Sequence, residues 1–380
     1  MEEVTQRFSH LSEAIFKFLN TETLIRCQSV SKIWQNYLVD IMNERRVVVL
    51  QRNIQNFREI QDFNANFDLE SEQKTIQLAK MGNFSFAIEN IMKVFNKVYE
   101  NYIQLGWTVP YSAASCGHFK VVNFIIDNLQ DNNPQNSDSG ATALHYAVAH
   151  GNELYIDLAM YILKNVQEKN PGDNNGMTPL HLASLRNHIA FAKFLIDNID
   201  EKNPGDLTGR TPLHHCAMLG HFEILKHIMK NVKDKNPGDR MCWTPLHEAI
   251  KKNWNFHIIE HIVNNVKDKN PGDINGRTPL HEAVKYGYLN VVKFLMSNAG
   301  DKNPADKKGQ TPLHEAIIKG NYDIVRYIIE NVEEKAIDVN SFLDVVKYIV
   351  QKETLPYDQG KEGNILTLKQ CFGYLLNVFS

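Results

Sequence analysis

The sequence predicts an all-α solenoid: helix pairs stacked in series, with a β-turn hairpin protruding between successive pairs. Three observations carry this. The stretch KNPGDNNGMTPLHLA at 169–183 returns, little altered, as KNPGDLTGRTPLHHC, KNPGDRMCWTPLHEA and KNPGDINGRTPLHEA. The threonines opening each motif, Thr142, Thr178, Thr211, Thr244, Thr278 and Thr311, lie 36, 33, 33, 34 and 33 residues apart. A fixed period of this length belongs to a chain that grows by stacking, each unit burying its apolar face only against its neighbours. Between the motifs, apolar residues recur at helical spacing, as in HFEILKHIMKNV with Phe222, Ile224, Leu225, Ile228, Met229 and Val232.

Composition narrows the class. Of 380 residues 43% are hydrophobic, enough for a buried core, and the net charge of −3 speaks against an overall nucleic-acid or membrane-surface binder. The five cysteines, Cys27, Cys116, Cys216, Cys242 and Cys371, are odd in number and form no CxxC pair. That pattern argues against a disulfide framework or zinc knuckle and for a reducing compartment. The opening MEEVTQRF has no apolar signal core, and no apolar run reaches the ~20 residues of a membrane helix. The chain reads as soluble and intracellular, cytoplasmic with the nucleus as the alternative.

Residues 1–45 read as a small helical domain. In FSHLSEAIFKFLNTETLIRCQSVSKIWQNYLVD, residues 8–40, Leu11, Ile15, Phe16 and Leu19 share one helical face. Leu24, Cys27, Val30 and Trp34 continue through a second and third short helix, after a break at Thr21-Glu22-Thr23. As a bare pattern this is the terminal cap that a repeat array requires. It also resembles an F-box, whose members show Ile-Phe-x-x-Leu, a Leu five residues on, then Val-Ser/Cys-Lys/Arg-x-Trp. Ile15, Phe16, Leu19, Leu24, Val30, Ser31, Lys32 and Trp34 match at that spacing, while Arg7 and Phe8 stand where the family opens with Leu-Pro.

Residues 46–72 are expected to be a linker. Arg45–Leu50 could start a strand or a helix, and the polar EIQDFNANFDLESEQ reads as loop. Residues 73–107 are a degenerate repeat, in which TIQLAKMGNFSFAIENIM keeps only the Leu-Ala, the glycine and the second-helix pattern. Seven repeats fill 108–335. The first, TVPYSAASCGHFKVVNFII, has Val-Pro-Tyr in place of Pro-Leu-His, and the second carries three extra residues around 152–166.

Within a repeat, Thr178 can cap a helix, and Pro179 suits the first helical position, where a missing N–H costs nothing. Gly151, Gly220, Gly287 and Gly320 supply positive-φ stops. Asn-Pro-Gly-Asp has the residue order of a type II turn. Cys242 replaces the following turn glycine of its unit, which predicts a distorted hairpin there. The period and the T-P-L-H signature resemble the ankyrin repeat.

Each repeat carries one histidine at the same place: His145, His181, His214, His247, His281 and His314. Stacked helices separate them by ~10 Å, too far to share one zinc. No carboxylate–serine or cysteine partner recurs at a fixed offset. The ankyrin resemblance makes this histidine a structural hydrogen-bonding residue. In His214-His215-Cys216, adjacent helical residues point apart, so the apparent ligand spacing is not read as a site.

Residues 336–380 are expected to form a C-terminal helical cap and tail. Ser341 caps a helix through Lys352 with Asp344 three residues on, and Phe342, Val345, Val346, Ile349 and Val350 form its apolar face. Residues 355–364 are loop, and NILTLKQCFGYLLNVFS is a final apolar helix, with packing back on the array and binding a partner both open to it.

No Gly-rich phosphate loop, paired-carboxylate motif or nucleophile elbow occurs, and no enzyme activity, cofactor or metal is expected. Ankyrin arrays bind proteins through hairpin tips and inner helices. With an F-box in front, the resemblance implies a substrate-recognition adaptor of a Skp–cullin–F-box ubiquitin ligase. Leu11, Ile15, Phe16, Leu19, Leu24, Val30 and Trp34 would hold the Skp subunit. The family's variable positions would hold a protein substrate: Arg240, Met241, Lys307 and Lys308 at the tips, and Arg210, Trp243, Arg277 and Gln310 before the threonines. Arg186, Lys251, Lys252, Lys285, Tyr286 and Lys319 complete the set on the inner helices. It is basic and punctuated by aromatics, which suits an acidic segment of the partner. Two other readings stay open: a non-catalytic scaffold or inhibitor, and a pathogen effector that mimics a host adaptor.

Overall fold

The computed structural model describes residues 32–131, 133–252 and 256–332. Every element among them is a helix, nineteen in all. The chain divides into two units, Met1–Glu168 and Lys169–Ser380. The six F-box-like positions from Leu11 to Val30 and the expected C-terminal cap over 336–380 lie outside the described residues.

The second unit holds five helix pairs: α10 (Pro179–Arg186) with α11 (Ile189–Asn198), α12 (Pro212–Leu219) with α13 (Phe222–Asn231), and α14 (Pro245–Lys252) with α15 (Phe256–Asn265). Then come α16 (Pro279–Lys285) with α17 (Leu289–Asn298), and α18 (Pro312–Lys319) with α19 (Tyr322–Asn331). The repeated letters explain themselves one at a time. The leucine of each T-P-L-H, as in Leu180, Leu213, Leu246, Leu280 and Leu313, is wholly buried, worth ~1.5–3 kcal/mol apiece. Proline opens these inner helices and supplies the φ the first turn needs. Gly220 and Gly320 end them at φ 84° and 69°, and Asn187 takes the same left-handed stop at φ 58°.

The turn falls three residues later than the sequence predicts. Gly172, Gly205 and Gly272 are absent from the positive-φ positions, so Asn-Pro-Gly-Asp is not a type II turn. The tight turn is Asp-x-x-Gly instead. Gly176 donates to the Asp173 carbonyl at 2.8 Å with φ 73°, and Asp173 Oδ1 accepts from the N–H groups of Asn175 and Met177. The earlier glycine serves close approach, since a Cβ at Gly172 would lie 3.3 Å from Gly176 Cα. The asparagine reaches forward instead. The side-chain oxygens of Asn203, Asn236, Asn270 and Asn303 accept from the N–H of Leu213, Leu246, Leu280 and Leu313. Each therefore satisfies an orphan donor in the first turn of the next inner helix.

The hairpin containing Cys242 is not distorted. Cys242 adopts φ 54° and donates to Asp239 at 2.8 Å, as Gly209 does to Asp206 at 2.8 Å. The misfit is held in the backbone torsion of a side-chain-bearing residue rather than in the loop shape.

The first unit holds three helix pairs: α3 (Leu69–Lys80) with α4 (Phe84–Val98), α6 (Val109–Ser115) with α7 (Phe119–Asn128), and α8 (Ala143–His150) with α9 (Glu153–Asn165). The three extra residues of the Thr142 repeat lengthen α9 to 13 residues, against 10 in α11.

The expected linker over 46–72 is helical. A helix of 26 residues, α1 (Lys32–Phe57), runs through the boundary placed at residue 45, and α2 (Phe63–Asn66) and the start of α3 occupy the polar stretch expected to be loop. Val47, Leu50, Ile54 and Phe57 line one buried stripe of α1. Phe57, Phe63, Phe67, Phe95 and Phe124 then form a buried aromatic cluster. The Phe57 ring lies 5.7 Å from Phe63, 5.0 Å from Phe95 and 5.3 Å from Phe124. Polar neighbours hid two buried anchors, Phe63 and Phe67, spaced one helical turn apart. No helix among the described residues is long and apolar enough to cross a membrane.

Candidate functional site

The chemistry of the histidine ladder decides whether the repeats carry a reactive site. Each threonine N–H donates to Nδ1 of the histidine three residues on: Thr178 to His181 at 3.0 Å, Thr211 to His214 at 3.0 Å, Thr244 to His247 at 3.1 Å and Thr278 to His281 at 3.0 Å. Since a backbone N–H can only donate, Nδ1 accepts and the hydrogen sits on Nε2. That hydrogen is donated to a carbonyl of the next repeat: Arg210 at 3.0 Å, Trp243 at 2.8 Å, Arg277 at 3.3 Å and Gln310 at 3.1 Å respectively. Both nitrogens are thus committed, one to capping its own helix and one to stitching the next repeat. Burial pushes His214 and His247 down to about 4 and lowers His281, so the rings stay neutral.

Nor does the His214-His215-Cys216 run converge. His214 reaches the Trp243 carbonyl, while His215 turns edge-on to His181 with ring centroids 5.7 Å apart. Burial pushes the Cys216 thiol up to about 12, far from a nucleophile's range.

The surface positions are richer. Successive hairpins pair backbone to backbone. Leu207 N–H donates to Asn175 O at 2.9 Å, Arg240 to Thr208 at 3.0 Å, Ile274 to Met241 at 2.8 Å and Lys307 to Asn275 at 2.9 Å. This ladder sets Arg240, Met241, Lys307 and Lys308 on one ridge. It adds two residues that sequence reasoning missed, Leu207 and Ile274, which with Met241 are 56%, 41% and 55% exposed in that order. Their signal was available: an apolar residue inside a turn has no local reason to be there.

Just ahead of α14, Trp243 is half-buried and stacks on His247 at 4.7 Å, with the Lys251 ammonium 5.6 Å from its ring centroid. The Lys285 ammonium stands 5.3 Å from the Tyr286 ring. Three expected cations are already paired. Arg210 donates to Glu248 at 2.7 Å, Arg277 bonds Glu282 at 3.3 Å and Glu315 at 3.1 Å, and Lys285 meets Glu282 at 3.1 Å. Glu248 and Glu282 are buried, and a buried carboxylate demands such partners. Sequence reasoning missed these glutamates, although each follows the ladder histidine directly. Arg186, Arg240, Lys251, Lys252, Lys307, Lys308 and Lys319 are exposed. Of the expected Skp-binding residues only Trp34 falls in a described helix, α1.

A model of tandem ankyrin repeats matches residues 75–167, 153–239, 198–266, 225–306 and 246–342, together more than half of the chain. The chain belongs to the ankyrin-repeat family. No curated protein matches it. Ankyrin repeats indicate a protein–protein interaction scaffold, and proteins built from them are generally non-catalytic. The ankyrin array here presents a hairpin ridge and an inner-helix face, and ankyrin repeats imply protein partners.

Proposed function

We propose that this ankyrin protein is a substrate-recognition adaptor of a Skp–cullin–F-box ubiquitin ligase. The N-terminal segment would hold the Skp subunit, and the repeats of the second unit would hold a protein substrate. The observation that carries the reading is the Ile15-Phe16-x-x-Leu19, Leu24, Val30-Ser31-Lys32-x-Trp34 pattern ahead of a recognition array. The course of α1 supports it. Lys32 and Trp34 of the pattern open a helix whose other end is buried among the phenylalanines of the first unit. A helix of that length spans ~39 Å, so a Skp subunit held at its start would have a fixed relation to that unit. The mechanism is effective concentration, in which substrate lysines are held near the charged conjugating enzyme.

The substrate face is the inner side and hairpin ridge of the second unit. Its exposed cations would steer an acidic segment, and Trp243, Met241 and Tyr286 would anchor it. Arg210, Arg277 and Lys285 serve that face indirectly, since their charge is engaged by Glu248, Glu282 and Glu315. Co-purification with the Skp subunit tests the adaptor reading. The full chain should retain it, and a variant with Ile15→Ala and Trp34→Ala should lose it at an unchanged melting temperature. Undiminished Skp binding by that variant would leave the plain scaffold.

A further inference from the structure

The first unit has an inner face unlike that of the second. Tyr102 and Trp107 stack at 5.4 Å and 19°, and Tyr111 meets Trp107 edge-on at 5.0 Å. Tyr146 meets Tyr111 at 5.3 Å and 77°, and His150 lies 6.0 Å from Tyr146. The run crosses three successive repeats, from the degenerate one over 73–107 to the one that opens at Thr142. Tyr102 and His150 are exposed, while Trp107, Tyr111 and Tyr146 are half-buried. These rings are too open to be core.

Charge sets this face apart. The segments 99–119 and 133–152, which carry all five rings, contain no lysine or arginine. Their only formal charges are Glu100 and Asp138, both negative. Asp138 is close enough to Tyr111 to help raise its hydroxyl pKa, after burial and the neighbouring Tyr146.

The second unit shows what belongs there. Trp107 and Trp243 occupy the same repeat position, each directly before its N-cap threonine. Over the Trp243 ring stands Lys251, eight residues on; eight residues after Trp107 stands Ser115. The second unit thus supplies its own cation to the indole, and the first supplies none at that position. The negative faces of the rings, with Asp138 at the hairpin, suit a cation brought from outside.

We infer that the aromatic face of Tyr102, Trp107, Tyr111 and Tyr146 is a second docking site, taking an arginine- or lysine-bearing segment of a protein partner. The cationic head occupies over Trp107 the place that Lys251 occupies over Trp243. This site is distinct from the basic face proposed for an acidic segment and does not depend on that assignment.

Calorimetric titration of the full chain tests it, with a short alternating arginine–glycine peptide as probe and glutamine–glycine, glutamate–glycine and proline-rich peptides as controls. The arginine peptide should bind and the controls should not. Trp107→Ala should weaken it about tenfold and Asp138→Asn about threefold. Trp243→Ala should leave it unchanged. Because Trp107 is half-buried, Tyr102→Leu at an exposed ring provides a second variant, expected to weaken binding severalfold at an unaltered melting temperature. Equal binding of the glutamine peptide, binding of the proline-rich peptide in its place, no binding of the arginine peptide, or full affinity in both Asp138→Asn and Tyr102→Leu would each overturn the inference.

Discussion

The ladder histidines show how one side chain can do two backbone jobs, and their energetics follow from that. Replacing His247 with Gln leaves the Thr244 N–H and the Arg277 carbonyl without their partners in a buried place. A cost of about 1–3 kcal/mol is expected, read as a lower urea midpoint at pH 7. Protonation attacks the same bond, because an imidazolium Nδ1 cannot accept from Thr244. The folded values of His214 and His247, about 4, lie below the ~6.5 of an unfolded histidine. The unfolded chain therefore takes up protons first. The stability these groups lend is complete above ~6.5 and is lost as pH falls through about 4. The urea midpoint should drop between pH 7 and pH 5, and His247→Gln should lose less over that interval than the native chain. Cys242 makes the opposite prediction. Glycine at that φ of 54° relieves a left-handed torsion worth ~1 kcal/mol, so Cys242→Gly should raise the melting temperature. Gly209→Ala should lower it, since a Cβ there would meet the Arg240 nitrogen at 2.8 Å.

At the scale of elements, the inner helices are short and are made stable by their ends. Helices of seven or eight residues are marginal alone, and here threonine, histidine, proline and asparagine each satisfy or remove a first-turn donor. The α1–α2 region works differently, through aromatic burial. Phe63 is fully buried and touches Phe57, Phe67 and Phe95 at ring separations of 5.7, 5.3 and 5.8 Å. Phe63→Ala should cost about 3–5 kcal/mol, and hydrogen exchange should rise across α1 and α4 together. Exchange rising in α2 alone would show that the cluster does not tie these helices to one another.

At the scale of the whole molecule, the distribution of charge matters more than its sum. The net charge is only −3, yet Lys251, Lys252, Lys307, Lys308 and Lys319 are exposed together within the second unit. If that face receives an acidic segment, reversing Lys251 and Lys252 to Glu should slow association and flatten its salt dependence without moving the melting temperature. Trp243→Ala should instead speed dissociation. Stopped-flow kinetics at two salt concentrations separates these outcomes.

The sequence by itself determined the repeat architecture, the two helices per unit, their caps and stops, and the structural standing of the histidines. All of these rest on interactions within about ten residues, or on one contact reproduced at every period. The extra residues of the Thr142 repeat were legible for the same reason, as a count against a known period. Tertiary structure decided the rest. It placed the tight turn on Asp-x-x-Gly, because the earlier glycine is needed for close approach to the later one. It made helix of the stretch after residue 45, because Phe57, Phe63 and Phe67 find Phe95 and Phe124 far along the chain. It paired Arg210, Arg277 and Lys285 with glutamates that are remote or buried. A charge counted in sequence is a charge on the surface only after its neighbours in space are known.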